Sequence, residues 1–131
     1  MREVYDFLKK RGTYYLATID DDTPRVRPFG TVNIFEGRLY IQTGKSKDVS
    51  KQIAANPKVE ISAFDGGEQW IRVNATAIDD DRPEPKIDML NAYPHLKEMY
   101  SVDDGNTQTL YLKDVTAVIS SFGGSPKIIK F

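Results

Sequence analysis

The feature that most constrains this chain is a two-residue alternation of apolar and polar side chains that recurs along most of its length. It is clearest at 68–78, where the apolar members are Ile71, Val73, Ala75 and Ala77. Such alternation is typical of a β-strand that buries one face. Runs with β character recur at 13–19, 24–35, 38–43, 59–64 and 106–122, and the chain ends in KIIKF. Turn residues separate these runs, so the sequence predicts a mainly antiparallel sheet.

Three segments have helical spacing instead. Residues 2–11 are predicted to form a short helix that ends at Gly12, and 47–55 a second helix stopped by Asn56-Pro57. The segment 83–100 contains Pro94, which predicts two short helices there. With 131 residues and no linker, residues 1–131 are expected to form one domain. We therefore predict a mainly β (α+β) fold, a six- to seven-stranded antiparallel barrel with short flanking helices.

The run 24–35 is predicted to be one strand paired with 38–43 through a turn at Glu36-Gly37. Its alternation places one set of residues on the core face and another on the opposite face. The core set is Val26, Pro28, Gly30, Val32 and Ile34, and the opposite set is Arg25, Arg27, Phe29, Thr31 and Asn33. This pairing would place Arg27 near Tyr40 or Gln42, because cross-strand neighbours lie about 5 Å apart.

The stretch TGKSKDV (43–49) contains the last three letters of a nucleotide-triphosphate loop. Residue 39 is leucine where that loop needs glycine, and the segment follows a hairpin rather than a parallel strand. A triphosphate loop is therefore not expected.

An anion site remains, because three lysines crowd a predicted helix start whose dipole is already positive. Ser46 is predicted to be the N-cap, with Lys45, Lys47 and Thr43 around free backbone N–H groups and Lys51 one turn on. Arg27 would reach the same anion. The alternative is a solvated lysine-rich turn that Asp48 partly balances.

The composition excludes several kinds of chemistry. The chain has no cysteine and one histidine, so disulfides, thiol chemistry and zinc-thiolate sites are not expected. His95 receives no role, the acidic run 79–81 is taken as a solvated turn, and no catalytic residue or metal ligand is assigned. A net charge of −1 argues against a dedicated nucleic-acid binder. No apolar run approaches the ~20 residues of a membrane span, so no membrane partner and a cytoplasmic location are expected.

The chain resembles the flavoproteins related to pyridoxamine 5′-phosphate oxidase, which share an FMN-binding split barrel. The resemblance lies in YYLATIDDDTPRVRPFG, GRLYIQTGKSKDVSKQIAANPKVEI and WIRVNATA. Its most specific part is an order: a strand ending in threonine, a basic turn with a serine, a helix, Asn-Pro and another strand. The resemblance covers most of the chain and implies a split β-barrel.

The resemblance also implies a homodimer with FMN at the interface. One wall would come from Arg27, Pro28, Phe29 and Gly30, continued by Gln42 and Thr43. Lys45, Ser46, Lys47 and Lys51 would hold the phosphate. Trp70 would contact the flavin from the second chain. Read without the resemblance, Trp70 and Phe29 are a ligand wall, a dimer contact or, for Phe29, core.

The sequence departs from the true oxidase. It is shorter, its turn has Lys-Asp-Val instead of an Arg-Lys pair, and its end, SPKIIKF, lacks the arginine and histidine that grip pyridoxal phosphate. These departures argue against oxidation of vitamin B6. The implied function is an FMN-dependent oxidoreductase that passes electrons to a small organic acceptor, with NAD(P)H binding transiently. One alternative is a non-catalytic flavin or deazaflavin binder. A second is a single-stranded nucleic-acid binder that uses Arg25, Arg27, Phe29 and the lysines.

Overall fold

The computed structural model describes all 131 residues. Its helices are α1 (Arg2–Arg11), α2 (Asp48–Ala55) and α3 (Pro83–Ala92), followed by a 3-10 helix (Pro94–Glu98). Its strands are β1 (Tyr14–Asp20), β2 (Thr23–Phe29), β3 (Asn33–Phe35), β4 (Arg38–Gly44), β5 (Lys58–Phe64), β6 (Gln69–Asp79), β7 (Thr107–Ser121) and β8 (Lys127–Lys130).

The strands form one antiparallel sheet in the order β2-β1-β5-β6-β7-β4-β3, with β8 added to β7. The two ends of this order, β2 and β3, are joined along the chain but not by hydrogen bonds. The sheet therefore curls around a common core and stays open along one seam. The predicted mainly β split barrel is confirmed, with eight strands in place of six to seven.

The extra strand arises because the predicted strand 24–35 is broken. β2 pairs with β1, so that Arg27 lies opposite Leu16, and only β3 pairs with β4. The predicted position of Arg27 beside Tyr40 or Gln42 is wrong. At the break, the Thr31 side chain takes over from the backbone, because its Oγ1 accepts the Gln42 N–H at 3.0 Å.

The predicted faces of β2 are also inverted. Val26 is 67% exposed and Pro28 is exposed, whereas Arg27 and Phe29 are half-buried. Phe29 packs on the core, with its ring centroid 6.0 Å from that of Tyr14. The break at 30–32 shifts the phase, so Val32 is buried as predicted. The alternation therefore holds within β2, but it could not give the face of an edge strand.

The helices follow the prediction except at one cap. Gly12 ends α1 with a φ of 82°, and its N–H donates to the Leu8 carbonyl at 3.0 Å. Pro94 separates α3 from the 3-10 helix. Ser46 is not the N-cap of α2: Lys47 occupies that position without a side-chain cap. The Ser46 N–H instead donates to Oδ1 of Asn106 at 2.9 Å. None of the helices combines the length and the apolar character needed to cross a bilayer.

The acidic run 79–81 is not simply a solvated turn. Asp80 is buried, accepts the Tyr40 hydroxyl at 2.7 Å and forms two hydrogen bonds with the Arg82 guanidinium. Arg82 also pairs with Glu36 at 3.0 Å. The Arg82 guanidinium holds the pKa of Asp80 well below its usual range, burial opposes this, and the Tyr40 hydroxyl adds to it. The Asp80 cluster thus ties the start of α3 to β4.

Replacing Asp80 with asparagine should lower the free energy of unfolding at pH 7 by about 2 kcal/mol, because Arg82 and Tyr40 lose a charged partner. A carboxylate whose pKa falls on folding adds stability above its unfolded pKa of about 3.9, and this is lost as the pH drops through the folded value. In urea denaturation, the gap between wild type and Asp80→Asn should therefore be smaller at pH 3 than at pH 7. A gap that does not change with pH would contradict this. As a control, Asp20→Asn breaks only the exposed Asp20–Arg25 pair and should cost at most about 1 kcal/mol.

Candidate functional site

A cleft of about 240 Å³ opens at the seam of the barrel, where the end of β2 faces the end of β4. Sequence-predicted site residues line it from both strands and from the turn before α2. They are Arg27, Pro28, Phe29, Gly30, Gln42, Thr43 and Lys47. The strands β2 and β4, which were predicted to pair, instead form two walls of the cleft. The residues that were predicted to lie close together therefore do so, although the two strands are not paired.

One end of the cleft is polar and lies at the start of α2. The N–H groups of Asp48 and Val49 make no hydrogen bond within the chain, as expected for a first helical turn. Lys47 is exposed there and Val49 lines the cleft. The Thr43 hydroxyl also lacks a partner in the chain. We call this group of residues 43 and 47–49 the anion cradle, because free N–H groups, a helix dipole and a lysine favour negative charge.

Arg27 supports the anion cradle through hydrogen bonds to the neighbouring elements. Its guanidinium donates to the Leu16 carbonyl at 3.1 Å, to the Thr18 hydroxyl at 2.7 Å and to Oε1 of Gln52 at 2.6 Å. Burial lowers the pKa of Arg27, and the charge of Asp48 opposes that shift. Arg27 therefore connects β2, β1 and α2, and sets the position of the helix whose N-terminus forms the cradle.

Lys45, Ser46 and Lys51 do not line the cleft. The ammonium group of Lys45 lies 3.0 Å from Asp81, and this carboxylate raises the pKa of Lys45. The backbone N–H groups of Lys45 and Ser46 are bound by Asn106, and Lys51 is exposed.

Trp70 also lies elsewhere in the chain. Its ring packs on Phe122 with centroids 5.1 Å apart. Asp79, at the other end of β6, is level with Leu110, which pairs with Ile41 beside the cleft. From Trp70 to Asp79 the strand runs about 30 Å, at roughly 3.3 Å per residue. Within one chain Trp70 therefore does not reach the cleft.

The cleft also has a wall that the sequence did not predict. The 3-10 helix and the residues after it contribute His95, Leu96, Met99 and Tyr100. Tyr100 lies over the basic turn: a Cβ added at Gly44 would be 3.3 Å from its ring and 3.0 Å from Nδ2 of Asn106. Pro94 signalled a break in the helix but not the direction of the chain after it, so these residues could not be assigned. His95, left without a role, is exposed in this wall.

Side chains hold the linker 30–32 that crosses between the two walls. The Tyr93 hydroxyl accepts the Val32 N–H at 3.1 Å and donates to the Val32 carbonyl at 3.0 Å. The Tyr14 hydroxyl donates to the Thr31 carbonyl at 2.6 Å, and burial raises the pKa of Tyr14 well above its ordinary value. These bonds replace the ladder that a continuous strand would have provided.

A family profile described as pyridoxamine 5′-phosphate oxidase matches residues 1–90. This range holds all of the sequence-predicted site residues and ends before the 3-10 helix. None of the proteins with curated functions matches the sequence significantly.

Solved structures extend the comparison over the whole chain. A NimC/NimA family protein from Clostridium acetobutylicum is 46% identical with a TM-score of 0.97, over 100% of this chain and 92% of that one. General Stress Protein 26 from Bacillus anthracis is 18% identical with a TM-score of 0.79, over 99% and 97% of the chains. A protein described as F420 Reductase is 19% identical with a TM-score of 0.64, over 88% and 94%. The last two similarities show a shared fold.

Replacing Tyr93 with phenylalanine should lower the free energy of unfolding by about 2 kcal/mol, because the buried N–H and carbonyl of Val32 lose their partner. Urea denaturation measures this change. The matched control is Tyr5→Phe, which removes a hydroxyl that makes no hydrogen bond in the chain and should cost within about 0.5 kcal/mol. Equal costs for the two variants would show that Tyr93 does not hold the linker.

Proposed function

Because the chain belongs to the pyridoxamine 5′-phosphate oxidase family, a flavin-binding family, we propose that its cleft binds FMN and that the protein is an oxidoreductase. In this proposal the protein passes electrons from reduced flavin to a small organic acceptor. The observation that carries the proposal is the union, in one cleft, of an anion cradle with a slot between Phe29-Gly30 and the 3-10 wall. A phosphate joined to a flat ring needs these two environments side by side.

The cradle would hold the phosphate. Lys47 supplies a mobile charge, and the N–H groups of Asp48 and Val49 supply fixed donors, with the Thr43 hydroxyl beside them. Lys45 would have to leave Asp81 to join them. Leaving that pair would cost only about 0–1 kcal/mol, so Lys45 can join the phosphate, but we assign it a smaller part than Lys47 because only Lys47 already lines the cleft. Ser46 and Lys51 are assigned no direct contact.

The slot would hold the ring. Pro28, Phe29 and Gly30 form one side and Leu96 and Met99 the other, an apolar pair of walls that suits a flat conjugated system. Flavin supplies one- and two-electron chemistry when bound, so the protein's part is to bind, orient and leave one face open to the acceptor. We propose NADH or NADPH as the reductant, bound transiently, in keeping with a cytoplasmic location.

A second copy of the chain would complete the site. A cleft of about 240 Å³ is below the ~300 Å³ lower end for small-molecule sites. The outer face of β1 and β2, continuous with Pro28, exposes Tyr15, Ile19 and Val26. Exposed apolar patches of this kind mark interaction sites. We propose that this face forms a homodimer interface and that the partner contributes its Trp70 to the cleft.

The nucleic-acid alternative loses one of its two supports. Besides the lysines of 45–51 it needed a basic and aromatic strand face, but Arg27 and Phe29 point into the barrel and Arg25 pairs with Asp20 at 3.1 Å. The outer face of β2 carries Val26 and Pro28 instead.

The purified protein should bind FMN more tightly than riboflavin, which lacks the phosphate, in fluorescence titrations. Lys47→Ala should weaken FMN binding about tenfold and leave riboflavin binding unchanged, because a charged hydrogen bond to phosphate contributes about 1.5–3 kcal/mol. Lys51→Ala is the matched control and should change both affinities by less than about twofold. No FMN binding at all would refute the proposal; equal effects on both ligands would show that the phosphate lies elsewhere.

Oxidation of NADH or NADPH by the FMN-loaded protein with a quinone or nitroaromatic acceptor separates an oxidoreductase from a flavin carrier.

The protein should be a dimer in light scattering, and Val26→Asp should convert it to a monomer with weaker FMN binding. A carboxylate at this position would be desolvated without a partner in the proposed interface. Ile128→Asp, at a similarly exposed apolar residue on β8, should stay dimeric. A wild-type monomer, or a dimer unaffected by Val26→Asp, would remove this face from the proposal.

A further inference from the structure

The backbone of Gln42 is hydrogen-bonded, but its side-chain amide has no hydrogen-bond partner. Its N–H donates to Oγ1 of Thr31 at 3.0 Å, and the same hydroxyl lies 3.4 Å from its carbonyl. The residue lines the cleft and is only 6% exposed, yet neither Oε1 nor Nε2 of its side chain has a hydrogen-bond partner. No other buried side chain in the chain has unpaired polar atoms of this kind.

Gln108 shows that this fold can satisfy a buried glutamine. It is 8% exposed, its Oε1 accepts the Ser50 hydroxyl at 2.6 Å, and its Nε2 donates to Asp79 at 3.3 Å. Because buried polar groups are normally paired, an exception calls for a cause. The position of Gln42 in the cleft wall points to a ligand as that cause.

The chemistry of the amide restricts the ligand. A carboxamide presents one acceptor and one donor side by side, and it binds best to an edge with an adjacent donor and acceptor, as Gln does with adenine. The pyrimidine ring of a flavin or a deazaflavin has such an edge, with the N3–H between two carbonyls. A phosphate offers acceptors only, so it would leave the Gln42 carbonyl unpaired.

We propose that Gln42 recognises the imide edge of the bound ring and thereby sets the ring's orientation in the slot. The inference rests on the proposed function. Gln42 lines the same cleft as Phe29, Gly30 and Leu96, and its backbone is bound to Thr31, the residue after Gly30. Both polar atoms of the amide are covered, so the proposed contact requires the Gln42 side chain to change rotamer when the ligand binds.

The test measures binding of FMN and of FMN methylated at N3, which has no N3–H. Wild type should bind the methylated ligand about tenfold more weakly. In Gln42→Met, which keeps the side-chain length but has no amide, FMN affinity should fall about tenfold and the ratio between the two ligands should come within about twofold of one. Gln42→Glu, which offers no donor, should also bind FMN about tenfold more weakly.

Thermal unfolding without ligand gives a second readout. Gln42→Met should unfold at a higher temperature than wild type, because it buries no unpaired polar atoms, whereas the control Gln108→Met should unfold at a lower one and keep the wild-type ligand ratio. A Gln42→Met protein that binds FMN and still discriminates against the methylated ligand as wild type does would overturn this inference alone. A wild type that binds neither ligand would overturn the proposed function with it.

Discussion

The structure depends on the interruption of the backbone ladder at residues 30–32. If the chain had continued as one strand from β2 into β3, the sheet edge would have closed and no cleft would exist. Instead, side chains supply the missing bonds: Thr31 to the backbone of Gln42, Tyr14 to Thr31 and Tyr93 to Val32. Pro28, which has no N–H, lies just before the break on an edge strand, the place in a sheet where proline is tolerated.

Because of these bonds, segments that are far apart in the sequence build the cleft together. Tyr14 comes from the first strand, and Tyr93 precedes the 3-10 helix that carries His95 and Leu96. The same hydroxyl that secures the linker therefore holds one end of the opposite wall. Asn106 makes a similar link next to the cradle. It binds the backbone of Lys45 and Ser46, and it lies against Gly44, which Tyr100 also approaches. The 3-10 wall is thus connected at both ends to the elements it faces.

The alternation of apolar residues predicted the strands and the fold class well, because burial of one face determines which residues a strand can carry. It failed at β2, where apolar Val26 lies outside and Arg27 inside. An edge strand beside a proposed interface can have apolar residues on both faces, so the period no longer gives the direction of the core. The resemblance predicted the residues of the β2 and β4 walls. The 3-10 wall was missed because no periodicity indicates where the chain goes after a helix-breaking proline.

Polar groups at the cleft differ from those in the rest of the fold, because some of them have no hydrogen-bond partner within the chain. Away from the cleft, buried charges and buried amides have partners within the chain: Asp80 with Arg82, Lys86 with Asp81, Gln108 with Ser50. At the cleft, the N–H groups of Asp48 and Val49, and both polar atoms of Gln42, have none. A buried unpaired group costs about 1–3 kcal/mol, a large fraction of the ~5–15 kcal/mol that stabilises a typical domain. The fold pairs its other buried side-chain polar atoms and leaves only those of Gln42 unpaired, so a group that pairs them would stabilise the protein, as the ligand proposed for the cleft would.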